Sequence, residues 1–208
     1  MSAQDCAELA RLGTATVYEG GGRRGLIDVP LIRIVAGSRA AGPARTARCA
    51  QGDNLMVHAA MADLQPGEVL VVTMPLPEPV GLVGDLLATQ AKVHGAAAML
   101  IDAAVRDVDE LVALGLPIWA RHVRARGPDK MVVGELDVPV EVGGTTIRPG
   151  DVVVLDADGA AVVEQERIDE VMAGARAREE AERVKRAKLQ AGELSYDLDG
   201  LRAIVEGS

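Results

Sequence analysis

A glycine, an aspartate and an arginine–aspartate pair stand in the spacing Gly81-x3-Asp85-x20-Arg106-Asp107. A hard divalent cation such as Mg2+ or Mn2+ takes oxygen ligands, keeps several waters and is held by only one or two protein carboxylates. Asp107 and Asp85 are suited to that role. Arg106 offers a planar fork of donors that fits a carboxylate or an enolate oxygen, which a lysine point charge does not match. The run from Gly84 through Asp85, Leu86 and Leu87 to Ala88 reads as the start of a helix, whose first-turn N–H groups bind anions. A keto acid can rest its carboxylate there. On these residues alone a plainer reading stays open, with Asp85 as a helix cap and Arg106-Asp107 as a surface pair.

The elements that must position this set are legible around it. Pro66-Gly67 turns the chain into a Val-rich strand over 68–74, and Pro75, Pro77 and Pro79 then stiffen the approach to a loop at Gly81. A helix is predicted over 85–93 with Gly95 just past its end, then a strand over 96–102 with Arg106-Asp107 beyond its C-terminal end. Both halves of the set therefore leave strand ends, where open α/β sheets place ligands. Upstream, helices are expected over 4–12 and 14–17, the latter stopping at a structural Gly20-Gly-Gly22 turn. Strands follow over 31–35 and 44–50 with a Gly42-Pro43 turn before the second, and Asp53 caps a helix running to about Leu64. Downstream come a helix over 108–114, a strand over 117–123 and β hairpins between 138 and 163. A charged helix over 164–188 buries Ile168, Val171, Met172 and Ala175, and Glu179–Arg183 and Glu182–Arg186 form i,i+4 pairs. The segment 192–202 reads as a second packing helix.

The sequences Gly81-Leu-Val-Gly-Asp-Leu-Leu-Ala88, Val105-Arg-Asp-Val108 and Pro117-Ile-Trp-Ala-Arg-His-Val123 resemble the class II pyruvate aldolases acting on 4-hydroxy-4-methyl-2-oxoglutarate and 4-carboxy-4-hydroxy-2-oxoadipate. These share a fold with the regulators of ribonuclease E activity (RraA). The resemblance runs from about Leu12 to the C-terminus. It departs at Asp158-Gly-Ala-Ala-Val-Val-Glu164, where the family has a proline after the valines. It implies an α/β fold, an RraA-like swivelling β/β/α sandwich over residues 1–163, with a helical extension over 164–208 packing on a neighbouring subunit. It also implies a homotrimer or homohexamer with sites between subunits and a divalent metal, Mg2+ or Mn2+, on Asp107. Arg106 and Asp85 would be catalytic, with Gly84, Asp85, Leu86, Leu87 and Arg106 binding substrate. A neighbour's glutamate would act on water near the metal: Glu182 by position, with Glu179, Glu180 and Glu193 as rivals. The implied activity is retro-aldol cleavage to pyruvate and a second keto acid, with oxaloacetate decarboxylation through the same enolate. The two alternatives are a non-catalytic regulator of a ribonuclease and another metal-dependent lyase on the same scaffold.

Composition bounds the rest. A length of 208 residues, 49% of them hydrophobic, suits one buried domain with an extension, and a net charge of -9 argues against nucleic acid as a direct partner. No stretch reaches the roughly 18 apolar residues of a membrane span. Cys6 and Cys49 have neither metal-ligand spacing nor a disulfide framework, which with the missing signal-peptide pattern predicts a cytoplasmic protein. The core, lacking phenylalanine, must be aliphatic. Of the histidines, His94 reads as a helix-end residue, His58 as a core or interface side chain, and His122 as an open case beside Arg121 and Arg124.

Overall fold

Uninterrupted Val, Leu, Ile and Ala runs between turn residues form strands that are buried on both faces, and in this chain they build the centre of the molecule. The computed structural model describes residues 2–207. The first half contains α1 (Ala3–Leu12), α2 (Thr14–Gly20), β1 (Ile32–Arg33), β2 (Ala40–Arg48), α3 (Leu55–Ala60), β3 (Val69–Thr73), β4 (Gly81–Val83), α4 (Asp85–Val93) and β5 (Ala98–Val105). The second contains α5 (Val108–Leu114), β6 (Ile118–Val123), β7 (Glu135–Leu136), β8 (Val140–Val142), β9 (Thr145–Ile147), β10 (Val152–Asp156), β11 (Gly159–Val163), α6 (Ile168–Gln190), α7 (Ser195–Leu198) and α8 (Leu201–Glu206).

Strands β6, β5, β3 and β2 lie side by side and parallel. β1 borders β6 antiparallel, and the β10–β11 hairpin continues the sheet antiparallel beyond β2. Side chains alternate between two apolar layers, as the two-residue period of a strand requires. Leu70, Val72, Met99 and Ile101 point into a layer closed by α3, α4 and α5; Val69, Val71, Leu100 and Trp119 point into a second with Val153, Leu155 and Ile147. Each fully buried Leu or Ile contributes about 1.5–3 kcal/mol of transfer free energy, so an aliphatic core is held by number. The indole N–H of Trp119 donates to the Asp156 carbonyl at 2.8 Å, leaving that buried ring no unmet donor.

Several expected boundaries shift. Gly42-Pro43 is not a turn but lies inside β2, where Pro43 pairs with Val152 of β10. Successive backbone nitrogens of a strand face opposite sides; Ala44 donates toward β10, to the Asp151 carbonyl, so the Pro43 nitrogen faces β3, whose ladder begins only at Ala44. Gly42 is required because a Cβ there would collide with the Gly67 carbonyl. The Gly81 loop is a short strand parallel to β5, and β5 itself runs on to Val105 across an irregularity between Ile101 and Ala104. The 31–35 strand shrinks to two residues and the helix after Asp53 to Leu55–Ala60.

The third apolar layer joins α1, α2, β10 and α6 through Leu9, Leu12, Val17, Val154, Val171, Met172 and Ala175. Helices α2 and α6 meet backbone to backbone: a Cβ on Gly20 would lie 2.5 Å from the Ala175 nitrogen, and one on Gly174 would strike the Gly20 carbonyl. The expected Glu179–Arg183 and Glu182–Arg186 pairs do not form. Glu179 is taken by Arg11 of α1, Arg183 by Glu180 and Glu182 by Arg178 at 2.9 Å. The expected second packing helix is two short helices, α7 and α8, without a buried residue. No helix among the described residues is long and apolar enough to cross a membrane.

Candidate active site

Asp107 follows β5 and precedes α5, with backbone angles in the left-handed region (φ 59, ψ 47). Non-glycine residues rarely adopt that conformation, although aspartate tolerates it better than most, and it concentrates where the surroundings enforce it. Its side chain does not cap α5. It turns back to the first turn of α4, where one carboxylate oxygen lies 3.4 Å from the Asp85 nitrogen and 3.5 Å from Arg106 Nε. Both side chains of the pair are exposed, as the plain reading has it, yet the two halves of the spaced set meet.

Gly84 makes that meeting possible. A Cβ on Gly84 would collide with the Asp107 carboxylate and sit 3.1 Å from Arg106 Nε. Asp85 is the first residue of α4 rather than its cap, and its carboxylate has no hydrogen bond or ion pair among the described residues. The amides of Leu86 and Leu87 belong to the first turn of α4, whose N–H groups lack carbonyl partners inside the helix. Leu87 anchors the turn in the core, while Leu86 is 80% exposed at the rim.

Around this turn lies a small cleft of about 90 Å3, lined by Gly81, Gly84, Asp85, Leu86, Leu87 and Arg106, and also by Asn54, His58, Pro128 and Lys130. These last four were not foreseen as site residues, and His58 is not in the core: it is exposed at the cleft mouth. The one sequence signal was the i,i+4 spacing of Asn54 and His58, which puts both on one face of α3. Partial burial, with the Lys130 charge adding to it, lowers the His58 pKa below its ordinary value near 6.5, so the ring is neutral at pH 7. Asn54 is buried; its amide nitrogen donates to the Leu82 carbonyl at 2.8 Å and its oxygen has no partner.

The remaining candidates lie elsewhere. Glu182, Glu179 and Glu180 are on the exposed face of α6, paired with arginines of the same chain, and none lines the cleft. His94 ends α4, and His122 sits on β6 opposite Ala104. Arg121 is bound to the buried Asp102 at 2.5 Å, outside the cleft. Burial pushes the Cys49 thiol up to about 12, so it stays protonated. A larger groove of about 420 Å3 beside α1 has Arg39 and Cys6 as its only ionisable side chains among the described residues, and burial raises the Cys6 thiol as well.

Asp85 lines the cleft and the Asp107 carboxylate approaches its backbone nitrogen, so up to two carboxylates are available at the start of α4. No cluster of three His, Cys, Asp or Glu forms among the described residues. Zinc prefers three or four nitrogen or sulfur ligands, whereas Mg2+ or Mn2+ is content with one or two carboxylates and water. The residues present fit the second kind of ion.

Comparison with known proteins identifies the family and the fold. A family model described as RraA-like, Aldolase/RraA, matches residues 14–162. A protein of Halalkalibacterium halodurans named "Putative 4-hydroxy-4-methyl-2-oxoglutarate aldolase" is 38% identical over 131 residues, which cover 63% of this chain and 62% of that one. The match thus spans less than two thirds of that relative's length. Among solved structures, an uncharacterized protein from Pseudomonas syringae pv. tomato superimposes with a TM-score of 0.84 at 25% identity, covering 93% of this chain and 92% of that one. RraAS2 of Streptomyces coelicolor, described as an unusual member of the RNase ES inhibitor RraA protein family, gives 0.79 at 30% identity, covering 89% and 97%.

Proposed function

Because the chain belongs to the RraA-like family, we propose that it is a divalent-metal-dependent lyase. Its reaction would be retro-aldol cleavage of 4-carboxy-4-hydroxy-2-oxoadipate or 4-hydroxy-4-methyl-2-oxoglutarate, releasing pyruvate and a second keto acid. The observation that carries this reading is the left-handed Asp107, whose carboxylate is folded back onto the start of α4 beside Arg106.

In this reading the Leu86 and Leu87 amides hold the carboxylate next to the substrate ketone. Asp85, free of other partners, takes the C4 hydroxyl proton through a water. The C3–C4 bond then breaks, C4 becomes a carbonyl, and the electron pair passes onto the C2 oxygen as an enolate. Arg106 stabilises that developing charge, and protonation at C3 completes pyruvate. His58 and Lys130, which also line the cleft, hold the substrate's distal carboxylate. Asp107, with Asp85 beside it, would hold Mg2+ or Mn2+, which supplies Lewis-acid stabilisation of negative charge when bound. Oxaloacetate decarboxylation would leave the same enolate and is expected as a side activity.

A cleft of about 90 Å3 is below the roughly 300–1,000 Å3 of a typical small-molecule site, and Leu86 and Met131 beside it are 80% and 83% exposed. Both facts favour an oligomer in which a neighbour closes the site; the assembly proposed is a homotrimer or paired trimer, with Glu182 contributed across the interface.

The test is pyruvate release from both six- or seven-carbon substrates and from oxaloacetate, with Mg2+ or Mn2+ and with excess chelator, corrected for metal-only decarboxylation. Chelator-sensitive turnover is expected; no turnover by folded, metal-supplied protein overturns the reading. The likeness to RraAS2 and the net charge of -9 favour one second reading, a regulator that binds a ribonuclease, which co-purification with that enzyme would reveal.

A further inference from the structure

The wall of the cleft that carries Pro128 and Lys130 belongs to a strap, residues 124–134, joining β6 to β7. None of its side chains is buried, and Met131, Val132 and Val133 point their apolar groups outward. Side-chain packing therefore cannot hold it in place. Its position is set by backbone bonds: Arg124 N–H to the Val105 carbonyl at 3.0 Å, Gly81 N–H to the Arg126 carbonyl at 2.8 Å, Asp129 N–H to the Gly52 carbonyl at 2.9 Å and Asn54 N–H to the Asp129 carbonyl at 2.9 Å.

Beyond Asp129 the hold passes to one side chain. Oδ2 of Asp53 accepts from Met131 N–H at 2.6 Å and Val132 N–H at 3.0 Å, while Oδ1 accepts from Leu55 N–H, the first residue of α3, at 2.8 Å. Asp53 itself is 2% exposed. A buried carboxylate is costly unless hydrogen-bonded; here burial raises its pKa, but the amides of Met131, Leu55 and Val132 outweigh burial and bring it below 3.8.

We propose that Asp53 is a positioning residue that clamps the strap to the helix bearing His58, and so fixes Lys130 and His58 beside each other in the lining of the substrate cleft. Lys130 precedes the clamped Met131 and His58 lies three residues after the clamped Leu55, so one carboxylate sets the spacing of both. The substrate part of this assignment rests on reading the cleft as the keto-acid site. An asparagine at position 53 has the same shape but only one acceptor oxygen, so either the strap amides or the Leu55 amide must face a donor.

Asp53→Asn and wild-type full-length protein should be compared in two ways. Trypsin cleavage after Lys130, followed by mass spectrometry, is expected to be at least tenfold faster in the variant. The KM for the pyruvate-yielding substrate is expected to rise about tenfold or more with kcat changed far less, a split that mere loss of stability would not produce. A folded variant with wild-type cleavage rate and KM overturns the proposal. In the wild-type protein, hydrogen exchange at Met131 and Val132 should be slow despite their exposed side chains; fast exchange overturns the clamp even where the variant does not fold. Wild-type protein that releases no pyruvate refutes the aldolase reading and its substrate consequence, while exchange and cleavage still judge the clamp.

Discussion

One carboxylate oxygen of Asp107 lies 3.4 Å from the backbone nitrogen of Asp85, across a gap that only the hydrogen of Gly84 leaves open. Gly84 has φ -127 and ψ -169, a conformation any residue adopts, so alanine there strains nothing but the site. Gly84→Ala should lower kcat/KM by about 100-fold or more, in line with losing a positioned electrostatic group, while thermal stability changes little. Near-normal turnover in this variant would show that the Asp107 position is not needed.

In the proposed reaction Arg106 would offer its guanidinium to an enolate, and a lysine keeps the charge but not the fork. Arg106→Lys should reduce kcat by about 100-fold or more without comparable loss of folding. Steady-state kinetics on oxaloacetate are sufficient, and turnover within a fewfold of wild type removes Arg106 from the chemistry.

The depressed His58 pKa has partial burial as its larger cause and the Lys130 charge as its second. The ring is therefore neutral until pH falls below 6.5, and only then gains a charge, which in the proposed reaction would lie beside the substrate's distal carboxylate. KM should drop as pH falls through that lowered value. Lys130→Met removes the repulsion but not the burial, so the ring-proton NMR titration of His58 should move up toward 6.5 without reaching it. An unchanged titration would place Lys130 too far away to matter.

Glu182 is paired with Arg178 on the outer face of α6 and lies outside its own chain's cleft. If it serves a neighbour, Arg106→Ala and Glu182→Ala should each lose most activity, and unfolding and refolding the two inactive variants together should restore some. Mixed oligomers then contain sites with both native residues. No recovery in verified mixed oligomers would return Glu182 to a solvent role.

Asp102 is buried, and its carboxylate meets Arg121 Nε at 2.5 Å. Asp102→Ala leaves a largely covered guanidinium unpaired and should cost about 3–5 kcal/mol in denaturant unfolding. A loss under about 1 kcal/mol would mean that Arg121 finds water readily.

The half of the site that could be read from the sequence is the half built locally. Asp85, Arg106 and Asp107 sit where a strand ends and a helix begins, and apolar runs with their glycine and proline punctuation mark such places. Asn54, His58 and Lys130 come from the start of a short helix and from a strap without periodicity, and only the tertiary fold brings them into one cleft with Arg106. Pro43 looked like a turn because propensity knows nothing of which side of a strand is paired. Glu179 satisfied the i,i+4 rule with Arg183, yet Arg11 of α1 offers two donors at 2.5 and 2.9 Å, and tertiary pairing prevailed over the local rule.

The backbone contact of Gly20 with Gly174 and Ala175 sets the crossing angle of α6 at a pivot point, and the Glu8–Arg176 and Arg11–Glu179 pairs just beyond it steady the helix. From Gly174 to Glu182 the helix advances about 12 Å at 1.5 Å per residue, so a small change in crossing angle at the pivot becomes a displacement of ångströms at the glutamate. One residue inserted between them would swing Glu182 about 100° around the axis while moving it hardly farther out. The reach of this arm is thus tuned by two glycines as much as by its length, and a single methyl group at either would re-aim it.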